Sequence, residues 1–330
     1  MTINSRNSRK PWHGQTWQKL ILLGIIALPL LARAEPTRPH IVGLSHIALY
    51  VHDLEKTRAF YKDFLGFAEP YSLTNQDGSV HLTWIKINDR QSIEIFPEQE
   101  TNSDRLYHIA VETDDAAGLR DYLAARGVKV PAQVGRGKIG NWNYFIKDPD
   151  GRIVEIVQYA PDGWTMRNRG KDLPDTRLSA HMPHVGVLEG DLDAAKKFYE
   201  DILGFHEIWR GAKTPTVLNW VHEQVPDGKD FIELMLYSTL PDPDKRGGAH
   251  HLCLEVPNVD KAKAMLESRA ARIGYARAMT IQTGINRKRQ LNLYDPDGTR
   301  VELMEPGTVD GIPAPPSKAP PPRSAVPSQN

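Results

Sequence analysis

Histidine and glutamate recur along this chain at a spacing that suits a metal ion. Four histidines open apolar stretches, and a glutamate follows each by 47 to 51 positions: His46 with Glu94, His108 with Glu155, His184 with Glu233, and His251 with Glu302. Two such pairs make a donor set of two imidazole nitrogens and two carboxylate oxygens, with room for two waters or a bidentate substrate. That set suits Zn²⁺, Ni²⁺, Co²⁺, Mn²⁺ or Fe²⁺, and the ligand types do not choose among them. A lone strand histidine or glutamate is usually structural or on the surface. Eight in one register carry more weight, because buried carboxylates without a counter-charge are too costly to repeat.

The elements that must position them follow from periodicity. In Tyr107-His108-Ile109-Ala110-Val111, the large apolar residues share one strand face while His108 and Ala110 share the other. Glu94, Glu155, Glu233 and Glu302 are each bracketed by apolar residues in the same way. One sheet face therefore packs on helices, and the other carries histidine and glutamate. Two positions after each histidine stands a small residue, Ala48, Ala110, Gly186 or Cys253, which leaves space beside an imidazole or allows close strand packing.

The chain repeats itself. Leu44–Phe67 and Met182–Phe205 each read as a strand, an aspartate helix cap (Asp53, Asp191) and an amphipathic helix with a Phe-Tyr pair, stopping at Leu-Gly-Phe. The second and fourth units share Asp-Pro-Asp-Gly before their last strand, at Asp148 and Asp295, which predicts a tight hairpin turn and not a metal loop. Odd units match odd, and even match even: a βαβββ unit doubled, diverged and doubled again. Trp84 and Trp220 are read as matching positions on odd-unit strands, lining a cup or packed in the core.

These motifs together resemble the vicinal oxygen chelate superfamily, which includes glyoxalase I, the bleomycin resistance proteins and the extradiol ring-cleaving dioxygenases. The resemblance covers about Ile41 to Pro306. It implies an α+β fold of four βαβββ modules in two domains with cup-shaped mixed sheets. Domain 1 would span 41–160, a linker 161–180, and domain 2 181–306. Carried over by residue, one cup would offer His46, Glu94, His108 and Glu155 to a divalent metal. The other would offer His184, Glu233, His251 and Glu302. Pairing in chain order makes the chain a pseudo-dimer, and cross-pairing of the modules stays open, as does a homodimer. A complete His/Glu/His/Glu set favours glyoxalase-like lyase or isomerase chemistry on a small molecule, with Glu155 or Glu302 moving the proton. The alternatives are an Fe²⁺ extradiol dioxygenase and a non-enzymatic small-molecule-binding protein.

The remaining sequence bounds the setting. Zero formal net charge and scattered Lys and Arg give no nucleic-acid footprint. Residues 1–34 show a basic lead, an apolar run from Leu20 to Leu31 and Ala32-Arg33-Ala34, the layout of a secretory signal. The expected mature protein is secreted or periplasmic, with no membrane association after signal removal. Cys253 is the single cysteine, so no intrachain disulfide forms. Residues 307–330 are rich in proline and read as a disordered tail.

Overall fold

The strands fall into two sheets of eight, and the division follows the chain. The computed structural model describes residues 36–100 and 103–323; the predicted signal, residues 1–34, lies outside them. Sheet 1 holds β1 (Ile41–Val51), β2 (Ala68–Thr74), β3 (Val80–Lys86), β4 (Ser92–Pro97), β5 (Leu106–Thr113), β6 (Gly135–Arg136), β7 (Trp142–Lys147) and β8 (Ile153–Gln158). Their spatial order is β2-β3-β4-β1-β5-β8-β7-β6. Sheet 2 repeats that order as β10-β11-β12-β9-β13-β16-β15-β14. Its strands are β9 (His184–Glu189), β10 (His206–Gly211), β11 (Trp220–Gln224), β12 (Phe231–Leu236), β13 (His251–Glu255), β14 (Ile281–Thr283), β15 (Lys288–Tyr294) and β16 (Arg300–Thr308).

Modules meet along the antiparallel pairs β1–β5 and β9–β13. The first therefore shares a sheet with the second and the third with the fourth; cross-pairing is not adopted. Within each module the first and last strands are parallel neighbours, which requires a crossover, and the helix supplies it. This arrangement sets the site. With Ala48 opposite Glu94, side-chain alternation places His46 and Glu94 on one face of adjacent strands.

The helices are α1 (Leu54–Arg58), α2 (Ala116–Ala125), α3 (Trp164–Arg167, in the connection between sheets), α4 (Leu192–Lys196) and α5 (Val259–Ile273). The Asp53 and Asp191 carboxylates accept from the Lys56 and Ala194 amides, as their position predicts. α1 and α4 then loosen into π-helical turns over Ala59–Phe64 and Lys197–Ile202. Each ends at a glycine with positive φ, Gly66 at 83° and Gly204 at 81°. There the Phe67 and Phe205 amides bond back to the Tyr61 and Tyr199 carbonyls, so only a residue without a Cβ closes the helix cheaply. Beneath the helices the apolar strand faces (Ile47, Ile93, Ile109 and Ile156, with their sheet 2 equivalents) join Phe60, Phe64 and Leu119 in one buried cluster. Each such side chain contributes about 1.5–3 kcal/mol on burial.

The Asp-Pro-Asp-Gly turns do more than reverse the chain. Tyr199 Oη donates to Asp148 at 3.1 Å and Tyr61 Oη to Asp295 at 3.4 Å, each bond running from one sheet's module to the other's turn. Asp150 accepts from the Gly190 amide and Asp297 from the His52 amide, again reciprocally. The Phe-Tyr helix and the turn are thus two halves of one seam, which accounts for why odd units carry the first and even units the second.

The segment expected to be a disordered tail is laid along sheet 2 as far as residue 323. β16 itself runs on to Thr308, the Ser317 amide donates to the Arg210 carbonyl, and the Leu218 amide to the Pro320 carbonyl. Ala319 is buried in the core. The reason is the edge strand β10, whose free backbone groups need covering, and a proline-rich extended chain offers carbonyls for it. No helix among the described residues is long and apolar enough to cross a membrane.

Candidate metal centres

In sheet 1, four adjacent strands each send one side chain to the same point. β4 supplies Glu94, β1 His46, β5 His108 and β8 Glu155, and all four are buried. His46 Nε2 lies 2.9 Å from His108 Nε2 and 3.0 Å from Glu155 Oε2. His108 Nε2 is 2.9 Å from that same oxygen. Glu94 Oε2 stands 3.6 and 3.8 Å from the two imidazole nitrogens. One ligand atom from each residue falls within 4.8 Å of all the others. Donors bound about 2.1 Å from one ion stand roughly 3–3.5 Å apart, so this set fits a divalent cation.

The small residues explain how imidazoles fit on a crowded face. Ala48 lies opposite His108 and Ala110 opposite His46, while in sheet 2 Gly186 lies opposite His251 and Cys253 opposite His184. A Cβ on Gly186 would come within 1.8 Å of the His251 ring. Space beside the imidazole, one of the two readings of these positions, is what Gly186 provides.

Outer contacts hold the sheet 1 set in place. Ser45 Oγ sits 3.0 Å from His46 Nδ1 and 2.7 Å from the Tyr159 hydroxyl, which donates onward to the Arg90 carbonyl. Asn143 Nδ2 donates to Glu155 Oε1 at 2.6 Å. Such partners fix ring orientation and carboxylate aim. Burial opposes a charge on His46, but the Glu94 and Glu155 carboxylates outweigh it and raise its pKa. Burial pushes the Glu94 carboxyl up and the Glu155 charge adds to it, against the pull of His46. Glu155 also resists burial, yet His46 and His108 hold it well below the usual carboxylate range. A cavity of about 300 Å³ opens over the set, and its walls include Trp84, Phe96, Tyr107, Phe145 and Trp164. Sequence reasoning did not single out Ser45, Asn143 or Tyr159; only their fold brings them there.

Sheet 2 repeats the plan on β12, β9, β13 and β16 with Glu233, His184, His251 and Glu302, all buried. Its atoms gather differently. His184 and His251 Nε2 are 3.2 Å apart, and Glu302 Oε2 stands 3.3 and 3.5 Å from them. The side chains form overlapping groups, His184–Glu233–His251 and His184–Cys253–Glu302, in place of one set of four. Two further residues intervene. His222 Nε2 lies 2.9 Å from Glu233 Oε2, with its ring stacked on Phe231. Arg300 Nη2 lies 2.6 Å from His251 Nδ1 and 3.3 Å from its Nε2.

Strand register identifies what changed. Arg300 faces His251 where Ile153 faces His108, and His222 faces Glu233 where Trp84 faces Glu94. The likeness of LTWI and LNWV makes Trp84 and Trp220 look like matching positions, but they are not equivalent: Trp220 pairs with Met235, one pleat further along. Each still lines the cavity of its own sheet. Burial and the Arg300 charge lower the pKa of His251, and burial lowers that of His222. Burial opposes ionisation of Glu233 and Glu302, but the surrounding imidazoles bring both below the usual range. Alternation carried a signal for both missed residues. Arg300 is two positions before Glu302, and His222 lies two after Trp220, on the same faces.

Comparison with known proteins bears on this geometry. The description of the Glyoxalase/Bleomycin resistance protein/Dioxygenase superfamily matches residues 43–156 and again 181–303. The uncharacterized protein YaeR of Escherichia coli is 31% identical over 128 residues, 37% of this chain and 93% of YaeR. A probable lactoylglutathione lyase of Vibrio parahaemolyticus is 30% identical over 121 residues, 34% of this chain and 88% of that protein. Among solved structures, an extradiol ring-cleaving dioxygenase from B. fuscum superposes with a TM-score of 0.62 at 16% identity, covering 86% of this chain and 77% of the other. The Mn(II)-bound glyoxalase from Novosphingobium aromaticivorans gives 0.61 at 17% identity, covering 81% and 83%. At that identity the two structures share a fold with this chain.

Proposed function

The chain belongs to the glyoxalase/bleomycin resistance/dioxygenase superfamily through both of its repeats, and from that premise we propose that cup 1, the concave site of sheet 1, is a divalent-metal centre for lyase or isomerase chemistry on a small molecule. The observation that carries this reading is the convergence of His46, Glu94, His108 and Glu155 within 4.8 Å in a buried, accessible cup. A bound metal would act there as a Lewis acid on substrate oxygens.

The protein's own groups divide the remaining work. His46 and His108 face each other through Nε2 and, with Glu155, form the anchored part of the set. Asn143 keeps Glu155 from turning away. Glu94 is the looser carboxylate, beyond hydrogen-bond range of both imidazoles and bonded to the Trp84 side chain, so it can leave the imidazoles and take the proton beside a substrate carbonyl. That assignment moves the proton carrier from Glu155 or Glu302, the expectation drawn from family resemblance, to Glu94 on β4. The aromatic wall suits a substrate with an apolar body.

Glu94 and Glu155 both standing at the metal position also separates this reading from oxygen activation. An extradiol centre uses two histidines and one carboxylate, leaving three positions open. The test is metal analysis of the full chain, refilled in turn with Zn²⁺, Ni²⁺, Mn²⁺, Co²⁺ and Fe²⁺. Assays then compare solvent-deuterium incorporation into hemithioacetals and α-hydroxy ketones with ring cleavage of catechols under O₂. Failure to bind any of the five ions sinks the proposal, and a yellow cleavage product with Fe²⁺ alone replaces it with the dioxygenase reading. Export to the periplasm or medium is part of the same proposal and is supported by residues 1–34 of the sequence; N-terminal sequencing of the mature protein tests it.

A further inference from the structure

Sheet 2 carries a cavity of about 370 Å³ whose lining differs in kind from that of cup 1. We propose that cup 2 is a binding site for a neutral polyhydroxylated molecule, a monosaccharide or cyclic polyol. The inference stands apart from the metal reading of cup 1, since it uses other residues on another sheet.

The ligand class follows by elimination and then by complementarity. A metal ion is opposed by Arg300, a permanent cation whose Nη2 lies 2.6 Å from one ring nitrogen of His251 and 3.3 Å from the other. A small anion is opposed by Glu233 and Glu302, both of which line the cavity. What remains is a neutral ligand that both donates and accepts. The side-chain amides of Gln282, Asn286, Gln290 and Asn292 line the cavity, and each offers donors and an acceptor.

Several lining groups are buried without a protein partner. These are the Trp209 Nε1 and Arg300 Nε donors and the Asn292 Oδ1 acceptor. An unmet buried polar atom is costly, so a ligand that satisfies donors and acceptors together gains most here. A hydroxyl does both; a carboxylate only accepts and an ammonium only donates. Trp209 and Trp220 add aromatic surface for the C–H faces of a ring, and the cavity volume falls within the range of small-molecule sites.

Calorimetric titration of the full chain tests this with D-glucose, N-acetylglucosamine and myo-inositol as neutral probes, succinate as the anion and Zn²⁺ as the cation. At least one polyol should bind saturably, and binding should weaken tenfold or more in both Trp220→Ala and Asn292→Ala. His108→Ala should leave it unchanged. Saturation-transfer NMR on the unsubstituted chain is a second readout, expected to mark the C–H protons of the ring. No saturable binding of any of the three polyols overturns the proposal. So does polyol affinity that both variants retain, or occupation of cup 2 by succinate or Zn²⁺ in preference to a polyol.

Discussion

Cup 1 and cup 2 hang the same four residue types on the same four strands, yet only cup 1 brings one atom of each within reach of a single ion. The difference lies in neighbours and not in ligands. Ile153 in cup 1 is Arg300 in cup 2, and Trp84 is His222. Strand register keeps the ligand positions through duplication, because shifting a strand by one residue would turn its apolar face outward. Positions beside the ligands are under no such constraint and can change the chemistry of the cup.

The largest contrast should come from the glutamates of the last strands. Glu155→Gln removes an anchored oxygen that both cup 1 histidines contact. Metal should be lost from the purified chain and turnover should fall by about 10²–10⁴-fold. Glu302→Gln should leave both unchanged. Glu94→Gln should separate binding from chemistry, keeping metal while deuterium incorporation falls to a similar degree. Equal metal loss in Glu94→Gln and Glu155→Gln would reject the division of labour between them.

Exchanging the neighbours sharpens the comparison. Ile153→Arg should install the cup 2 cation beside His108 and weaken metal affinity in cup 1 by roughly 10–100-fold, the usual cost of disturbing groups around a metal ligand. The reverse pair, Arg300→Ile with His222→Trp, should raise metal content toward two equivalents per chain. If the paired variant stays at the wild-type content, the neighbours do not account for the difference between the cups.

How far these residues were legible before folding depends on the kind of signal. The eight candidate ligand positions, the helix caps and the odd/even repeat follow from local periodicity, which a single sequence shows directly. Arg300 and His222 stand on the correct faces but are not singled out by the sequence, because alternation assigns a face without saying what stands across the neighbouring strand. That needs register, and β11 against β12 or β13 against β16 is set by long-range pairing. Asn143 and Tyr159 are invisible for the same reason. Module pairing is open in the sequence because which first strands pair, β1 with β5 and β9 with β13, is likewise long-range. The tail misled through composition: its prolines cannot build a core, but they can cover an edge.

A smaller difference separates the two glycine-or-alanine positions that make room for the histidines. Ala48 already carries a methyl opposite His108, whereas a Cβ at Gly186 would collide with His251. Gly186→Ala should therefore cost about 1–3 kcal/mol by overpacking, read as a shift in denaturant midpoint. Ala48→Gly should cost less, about 1 kcal/mol from added chain freedom.

The two seam aspartates give the smallest and most specific contrast. Burial pushes the Asp295 carboxyl up to about 7, the nearby Asp297 charge adds to it, and the Thr299 and Asp297 amides and Tyr61 hydroxyl only partly hold it down. Asp148 is also raised by burial, but Arg152 beside it supplies a counter-charge that Asp295 lacks. A carboxyl raised in the folded state keeps its proton after the unfolded chain has lost it. Between about pH 4 and 7 the folded state therefore binds more protons, and stability falls as pH rises. Below that window both states are protonated and above it both are ionised, so this contribution flattens at either end. Asp295→Asn removes the group that titrates while keeping an oxygen for the amides, and should reduce the decline in unfolding free energy across the window. Asp148→Asn should reduce it less. Denaturant titrations at half-unit steps from pH 4 to 8 would decide it: the same slope in wild type and Asp295→Asn would mean that the seam carboxyl ionises together with the unfolded chain.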